Sequence, residues 1–307
     1  MLFAAAVSIV PVASSTAAVV RVAGLGQGIP EAPISSLLVS ENRLYVGTRG
    51  MGLFLHDLKG GQTRRITRSD GLPSDDVTSL AKFRGKVYVG TSEGIGVAEG
   101  TAWSVLRENG NVRLNNTYLS VSPDGGELWA GAVYLAGGTA RFDGKEWTFI
   151  GGEGRGLLNN VNSFAFQPGG VILGVQSGAV YVRKGDVIEA LGKGFPQANV
   201  FAVAERGGTI YAGTSKGLFV WRGDRWEKAI VPEPIADAAV YAFVRSGADL
   251  FVGGRSGLLL LDRNGNTRIL SGERGIPAGA VTALTEEGGT IYAATEQGVA
   301  MIREWSE

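Results

Sequence analysis

Residues 71–97 read Gly71-Leu72-Pro73-Ser74-Asp75-Asp76-Val77-Thr78-Ser79-Leu80-Ala81-Lys82-Phe83-Arg84-Gly85-Lys86-Val87-Tyr88-Val89-Gly90-Thr91-Ser92-Glu93-Gly94-Ile95-Gly96-Val97. A turn at Arg84-Gly85 separates two apolar runs, which predicts a β-hairpin. Its second run, Val87-Tyr88-Val89, is apolar throughout, as expected of a strand buried on both faces. Gly94 restarts the chain as a third strand.

The triplet ending at Gly90 is one of seven. Tyr45-Val46-Gly47, Trp129-Ala130-Gly131, Ile172-Leu173-Gly174, Tyr211-Ala212-Gly213, Phe251-Val252-Gly253 and Tyr292-Ala293-Ala294 are the others. Their third members lie 43, 41, 43, 39, 40 and 41 residues apart, a period that marks a stacked or circular repeat architecture. Thirteen residues before each anchor stands Ile34, Val77, Tyr118, Val161, Val200, Val240 or Val281. Two positions further on the side chain is small: Ser36, Ser79, Ser120, Ser163, Ala202, Ala242 or Ala283. The next residue is apolar: Leu37, Leu80, Val121, Phe164, Val203, Phe243 or Leu284.

Each unit reads as four short strands. The third, such as Gly217-Leu218-Phe219-Val220-Trp221, is followed by a Gly turn, and the fourth is polar, as in Gln62-Thr63-Arg64-Arg65-Ile66-Thr67. Small residues inside and charged ones outside suit a wedge whose inner edge crowds an axis and whose outer edge meets water. Radial four-stranded sheets with this period form a β-propeller. The expected fold is therefore all-β: seven antiparallel blades over residues 18–307. The last unit ends after its third strand, and Val19-Val20-Arg21-Val22 matches the fourth strand Thr267-Arg268-Ile269-Leu270. The N-terminal strand is thus expected to complete the last blade and close the ring.

Two words recur between units. Gly28-Ile29-Pro30, Gly71-Leu72-Pro73, Gly194-Phe195-Pro196 and Gly275-Ile276-Pro277 precede first strands. Tyr88-Val89-Gly90-Thr91-Ser92-Glu93-Gly94 and Gly213-Thr214-Ser215-Lys216-Gly217-Leu218 span the second-to-third-strand turn. Together they resemble the two-component-regulator propeller repeat, over essentially the whole chain after residue 18. That resemblance implies an extracytoplasmic sensor-type propeller of the kind often thought to recognise glycans, there joined to a membrane helix and a kinase. Residues 18–307 show no spanning helix, second propeller or kinase motif, so the expectation here is a stand-alone propeller. Tryptophan–aspartate repeats fit less well, since no Trp-Asp dipeptide occurs.

Composition narrows the chemistry. Hydrophobic residues at 44% supply a core and exclude a mainly disordered chain. The 48 glycines follow no every-third-residue pattern, so they mark turns and close approaches. Twenty-nine basic and twenty-nine acidic residues leave no cationic excess for nucleic acid. There is no Cys, and His56 is the only His, which excludes disulfides, thiolate sites and His clusters. No metal or other cofactor is expected. The apolar run 2–13 is too short to span a membrane, and with Pro11 and the small tract Ala13-Ser14-Ser15-Thr16-Ala17 it reads as a signal peptide over residues 1–17. Export to the periplasm or exterior follows from that reading.

In a propeller, the loops leading into first strands and those joining second to third strands share one face. Arg49, Asp75, Asp76, Glu93, Asn116, Asn160, Asn199, Lys216, Arg255 and Glu296 fall there, with Tyr134 in a lengthened loop of the third unit. They form a mixed-charge rim suited to a hydroxyl-rich ligand or a protein loop. Asp and Asn at such places also cap turns. Asp75 and Asp76, adjacent on an extended chain, should point apart. Trp103, Trp147 and Trp226 recur at fourth-strand starts and are expected to pack between blades, while Arg64, Arg65 and Arg68 are expected on a solvated outer edge. The reading is a non-catalytic, monomeric, exported propeller binding a glycan or protein partner through this rim. The alternative is a propeller enzyme, a lyase or a glycosidase using carboxylates from different blades.

Overall fold

The computed structural model describes residues 18–24, 28, 33–100, 102–106, 115, 117–132, 138–150, 158–271, 279–303 and 305. They build seven four-stranded antiparallel sheets. Blades 1 to 7 begin with the first strands Ile34–Ser40, Val77–Phe83, Thr117–Val121, Val161–Gln167, Val200–Arg206, Val240–Ser246 and Val281–Glu287. Blade 2 continues outward through Lys86–Thr91, Gly94–Glu99 and Ala102–Leu106, and the others follow the same plan. Blade 7 ends with Thr290–Thr295 and Gly298–Arg303, and its fourth strand is Ala18–Gly24, paired from Ala18 with Arg303 to Gly24 with Gly298. The expected closure of the ring by the N-terminal strand is observed.

First strands meet in order around a common hub, blade 7 against blade 1. The anchor glycines lie where the next blade's first strand approaches. A Cβ on Gly213 would stand 2.6 Å from Val240 Cγ1, and one on Gly253 would stand 2.8 Å from Val281 Cγ1. Both distances are closer than packed atoms tolerate, so a side chain at either place would force blades apart.

In six blades the first strand carries one extra residue between its opening residue and the small one. In blade 2, Val77 pairs with Thr91 and Ser79 with Gly90, leaving Thr78 bulged. A bulge lets two residues oppose one and redirects side chains. Four bulged residues donate to the backbone carbonyl that opens the next blade. Ser35 Oγ reaches Val77 O at 2.7 Å, Thr78 Oγ1 reaches Thr117 O, Asn162 Nδ2 reaches Val200 O at 2.9 Å, and Thr282 Oγ1 reaches Ile34 O at 2.8 Å. The last of these joins blade 7 to blade 1, across the closure.

Blade 3 departs from the register expected of it. Its first strand has no bulge: Tyr118 faces Gly131 and Ser120 faces Trp129. Its hairpin runs Ser122-Pro123-Asp124-Gly125-Gly126-Glu127, closed by Ser122 N–H to Glu127 O at 2.9 Å, whereas blade 2 turns at Arg84-Gly85 between Phe83 and Lys86. Two additional turn residues shift the strand, so Tyr118 and not Ser120 occupies the place that Ser79 holds in blade 2.

The apolar core fills the spaces between blades. Tyr45, Leu53 and Ile66 of blade 1 pack with Val77, Val87 and Val89 of blade 2 and with Leu72 of the linker, against Trp103. Phe195 of the second described linker word lies edge-on to Trp226 at 5.2 Å, and Trp226 Nε1 donates to Leu191 O at 2.6 Å. The inter-blade role expected of the tryptophans holds, and Trp305 extends it. It packs on Phe251 at 4.9 Å and donates from Nε1 to the buried Asp249 at 3.1 Å. The other two linker words, at residues 28–30 and 275–277, lie at least partly outside the described residues.

Gly213→Val should therefore destabilise the protein by about 1–3 kcal/mol, the usual cost of overpacking. Urea unfolding checks this against Gly192→Ala, a loop position where an added Cβ meets nothing within 4 Å; that variant should lose less than Gly213→Val.

Candidate functional site

The repeated Gly-Thr word builds one face of the ring. In the four blades where a Thr follows the anchor, it clasps its turn: Thr91 Oγ1 donates to Gly94 O at 2.8 Å, and Thr48, Thr214 and Thr295 do the same to Gly52, Gly217 and Gly298. The following residues then tie this turn to the loop leading into the blade's own first strand. Arg49 N–H bonds Pro33 O, Ser92 N–H bonds Asp76 O, Gln176 N–H bonds Asn160 O, Ser215 N–H bonds Asn199 O, and Arg255 N–H bonds Ala239 O. The two loop sets expected to share a face are thus held edge to edge around the hub.

Three side chains from three blades meet on that face. Arg49, on the blade 1 turn, pairs through Nη1 with Asp76 Oδ1 at 3.4 Å, ahead of blade 2. Its Nη2 donates to the hydroxyl of Tyr118, in the first strand of blade 3, at 3.0 Å. Burial works against the Arg49 charge, but Tyr118 and then Asp76 outweigh it and hold the guanidinium pKa above its ordinary value. The Arg49 and Asp76 side chains remain 40% and 37% exposed, so a ligand can reach the cluster. Beside it, Glu93 pairs with Arg68 at 2.9 Å, and the Asp75 carboxylate accepts the Arg68 backbone N–H at 2.8 Å. Asp75 and Asp76 therefore do point to different partners, as their adjacency implied. Arg68 departs from the outer edge expected of it: it lies in the 3-10 turn Arg68–Asp70 and reaches the rim. Arg64 stays outside, 58% exposed and 3.8 Å from Asp70.

The remaining rim residues are not gathered into this cluster. Asn160 and Asn199 contribute backbone carbonyls to loop pairing, Asn160 with φ of 65°. Lys216, Arg255 and Glu296 are exposed on the turns of blades 5, 6 and 7. Asn116 and Tyr134 lie outside the described residues. Tyr118 is the residue that sequence reasoning missed, because the repeat template placed an opening apolar residue there. The signal that could have found it was the unit's longer turn, Ser122–Glu127, which moves the register.

Below this face the hub encloses a channel of about 270 Å³, lined by three consecutive residues of every first strand, from Ser35–Leu37 to Thr282–Leu284. His56 is remote from it: buried on the third strand of blade 1, it shares a hydrogen bond between Nδ1 and Thr63 Oγ1 at 2.9 Å. Among the described residues no three His, Cys, Asp or Glu side chains cluster to hold a metal, and no helix is long and apolar enough to cross a membrane.

Fold and face together define a seven-bladed β-propeller with a polar cluster over its hub. No known family profile matches the chain, and neither does any curated protein. Solved structures do. The extracellular domain of BT3049 from B. thetaiotaomicron, assigned as a hybrid two component system, superposes with a TM-score of 0.73 at 17% identity. The match covers 91% of this chain but 40% of that one. Virginiamycin B lyase from Staphylococcus aureus gives 0.68 at 14% identity, covering 89% and 96% of the two chains. YCF48, solved bound to D1 peptide, gives 0.68 at 11% identity, covering 97% and 98%. These likenesses establish the fold, and the sensor domains agree with the repeat resemblance.

Burial lowers the His56 pKa below its ordinary 6.5, opposed by the nearby Asp57 charge. An unfolded chain takes up that proton first, so stability should fall as pH drops from about 6.5 toward the lower folded-state value. Thermal unfolding across pH 5–7 (roughly the His titration range) should show this decline in the wild type and a shallower one in His56→Gln.

Proposed function

We propose that this protein is a non-catalytic, exported, monomeric β-propeller that binds a glycan or a protein partner through the loop face carrying Arg49, Asp76 and Tyr118. The observation that carries this reading is the convergence of those three side chains, from three separate blades, over the hub, with Arg49 and Asp76 still exposed. An exposed ion pair stabilises a fold by about 0–1 kcal/mol, so stability alone is a weak reason to assemble it. Its charge and uncommitted N–H groups suit recognition of hydroxyls or a carbonyl-rich loop. The extracellular sensor domain and the peptide-bound YCF48 support a recognition role for this architecture. Resemblance to the lyase supplies the fold alone, and among the described residues no arrangement of side chains in the hub favours the enzymatic alternative.

Export is part of the proposal. Cleavage near Ala17 should appear on N-terminal sequencing of protein recovered from an envelope or culture fraction; full-length protein confined to the cytoplasm would defeat this element.

For recognition, the wild type and Arg49→Ala/Asp76→Asn should be compared on a glycan array and by cross-linking to native envelope extract. The double variant should lose at least tenfold in capture while its unfolding free energy changes by no more than about 1 kcal/mol. Undiminished capture, or a partner mapped to the opposite face, would contradict the reading.

A further inference from the structure

At the end of the ring opposite the Arg49 face, the gap between blades 4 and 5 opens into a cleft of about 560 Å³. It lies beside the Gly207-Gly208 hairpin and the Gly223 turn of blade 5. That volume falls within the roughly 300–1,000 Å³ of small-molecule pockets. A Cβ on Gly208 or Gly223 would meet nothing within 4 Å, so these two lining residues leave the mouth open. The floor is apolar, built from the buried Val182, Leu191 and Ile210, with the half-buried Trp221 ring as one wall.

Two opposite charges stand over this floor and do not close on each other. Lys184 and Glu189 belong to adjacent strands of blade 4, Ala179–Lys184 and Val187–Ala190, in which Val182 pairs with Glu189 and Lys184 with Val187. They are thus diagonal neighbours on one side of the sheet, with Cβ atoms about 7 Å apart. The Lys184 stem rests against its own blade, where a Cβ on Gly170 would stand 3.2 Å from Lys184 Cγ. Both residues are exposed, and among the described residues neither side chain has a hydrogen-bond or ion-pair partner. Elsewhere opposite charges within reach do meet, Arg245 with Glu205 at 3.1 Å and Arg141 with Glu127 at 2.6 Å. Arg222, which also lines the cleft, is already engaged, its Nε 3.7 Å from Glu227.

An anion drawn to Lys184 is repelled by Glu189, and a cation drawn to Glu189 is repelled by Lys184. A molecule carrying both charges satisfies both groups. An α-amino acid carries them on a single carbon, so it fits between two side chains spaced in this way, and its own side chain then reaches the indole and the apolar floor. We propose that this cleft binds a free α-amino acid with an apolar or aromatic side chain. The ligand carboxylate accepts from Lys184 Nζ, its ammonium donates to the Glu189 carboxylate, and its side chain packs on Trp221. The site is separate from the Arg49 face and goes beyond the recognition proposed there.

The test is NMR titration of the isotope-labelled wild type with free phenylalanine, tryptophan, leucine and valine, read at the Trp221 indole N–H, alongside the N-acetyl and amide derivatives of each. At least one free amino acid should give saturable shifts there. Its N-acetyl form, which lacks the ammonium, and its amide, which lacks the carboxylate, should each bind about tenfold more weakly, the worth of one charge-assisted hydrogen bond. Glu189→Gln and Lys184→Gln, both at exposed positions, should weaken the free amino acid by a similar factor, whereas Val105→Asn on the outer strand of blade 2 should not. The wild-type series with its derivatives decides the matter even where a variant folds poorly. No saturable shift with any free amino acid, derivatives that bind as tightly as the parent, or shifts confined to the Arg49 face would overturn the proposal. Capture at the rim and titration at the cleft are read at opposite ends of the ring, so either reading can fail without the other.

Discussion

Seven inner strands must share one narrow hub, and the rest of the molecule follows from how closely they approach. A Cβ at Gly213 or Gly253 would collide with the opening valine of the next blade. The residue facing each anchor is correspondingly small in six of the blades, and the bulge beside it turns one side chain toward the neighbouring strand. At four of these bulges packing and hydrogen bonding are coupled, because the bulge that relieves crowding also delivers the donor that caps the next carbonyl. The bond from Thr282 to Ile34 spans nearly the whole chain in sequence and joins its last blade to its first.

Further from the hub, apolar linker residues and tryptophans fill the widening gaps between wedges. Leu72 under Trp103 and Phe195 beside Trp226 show what the glycine-apolar-proline word does in these two linkers: the apolar residue plugs a gap that neither blade fills by itself. With the body rigid, threonine-clasped turns hold the loops of one face in fixed positions. That is the condition for a recognition surface, since side chains placed on rigid supports lose little freedom on binding.

Propellers of this form serve unrelated ends, as the sensor domain, the lyase and the peptide-bound neighbour illustrate, so function resides in particular side chains and not in the ring. Here the departures from the repeat are the informative places. Blade 3 breaks register and sends Tyr118 to Arg49, and blades 5 and 6 place aromatic rings where their neighbours place donors. A locally broken rule, within a repeat that keeps it elsewhere, is where a site is expected.

The sequence alone determined the blade count, the order of strands within each blade, the closing N-terminal strand and the inter-blade role of the tryptophans. All of these depend on local patterns repeated seven times, and repetition averages out local ambiguity. It also named Arg49 and Asp76 among eleven candidates, by their position on turns. Tertiary structure alone decided that these two meet, that Tyr118 completes the cluster, and that Arg68 turns inward to Glu93. Such contacts join residues tens of positions apart in different blades, and they depend on a two-residue difference in turn length that a fixed-spacing template cannot register. The side-chain caps on the hub carbonyls belong to the same class, since which carbonyl a bulged donor reaches is settled only when the next blade comes to rest beside it.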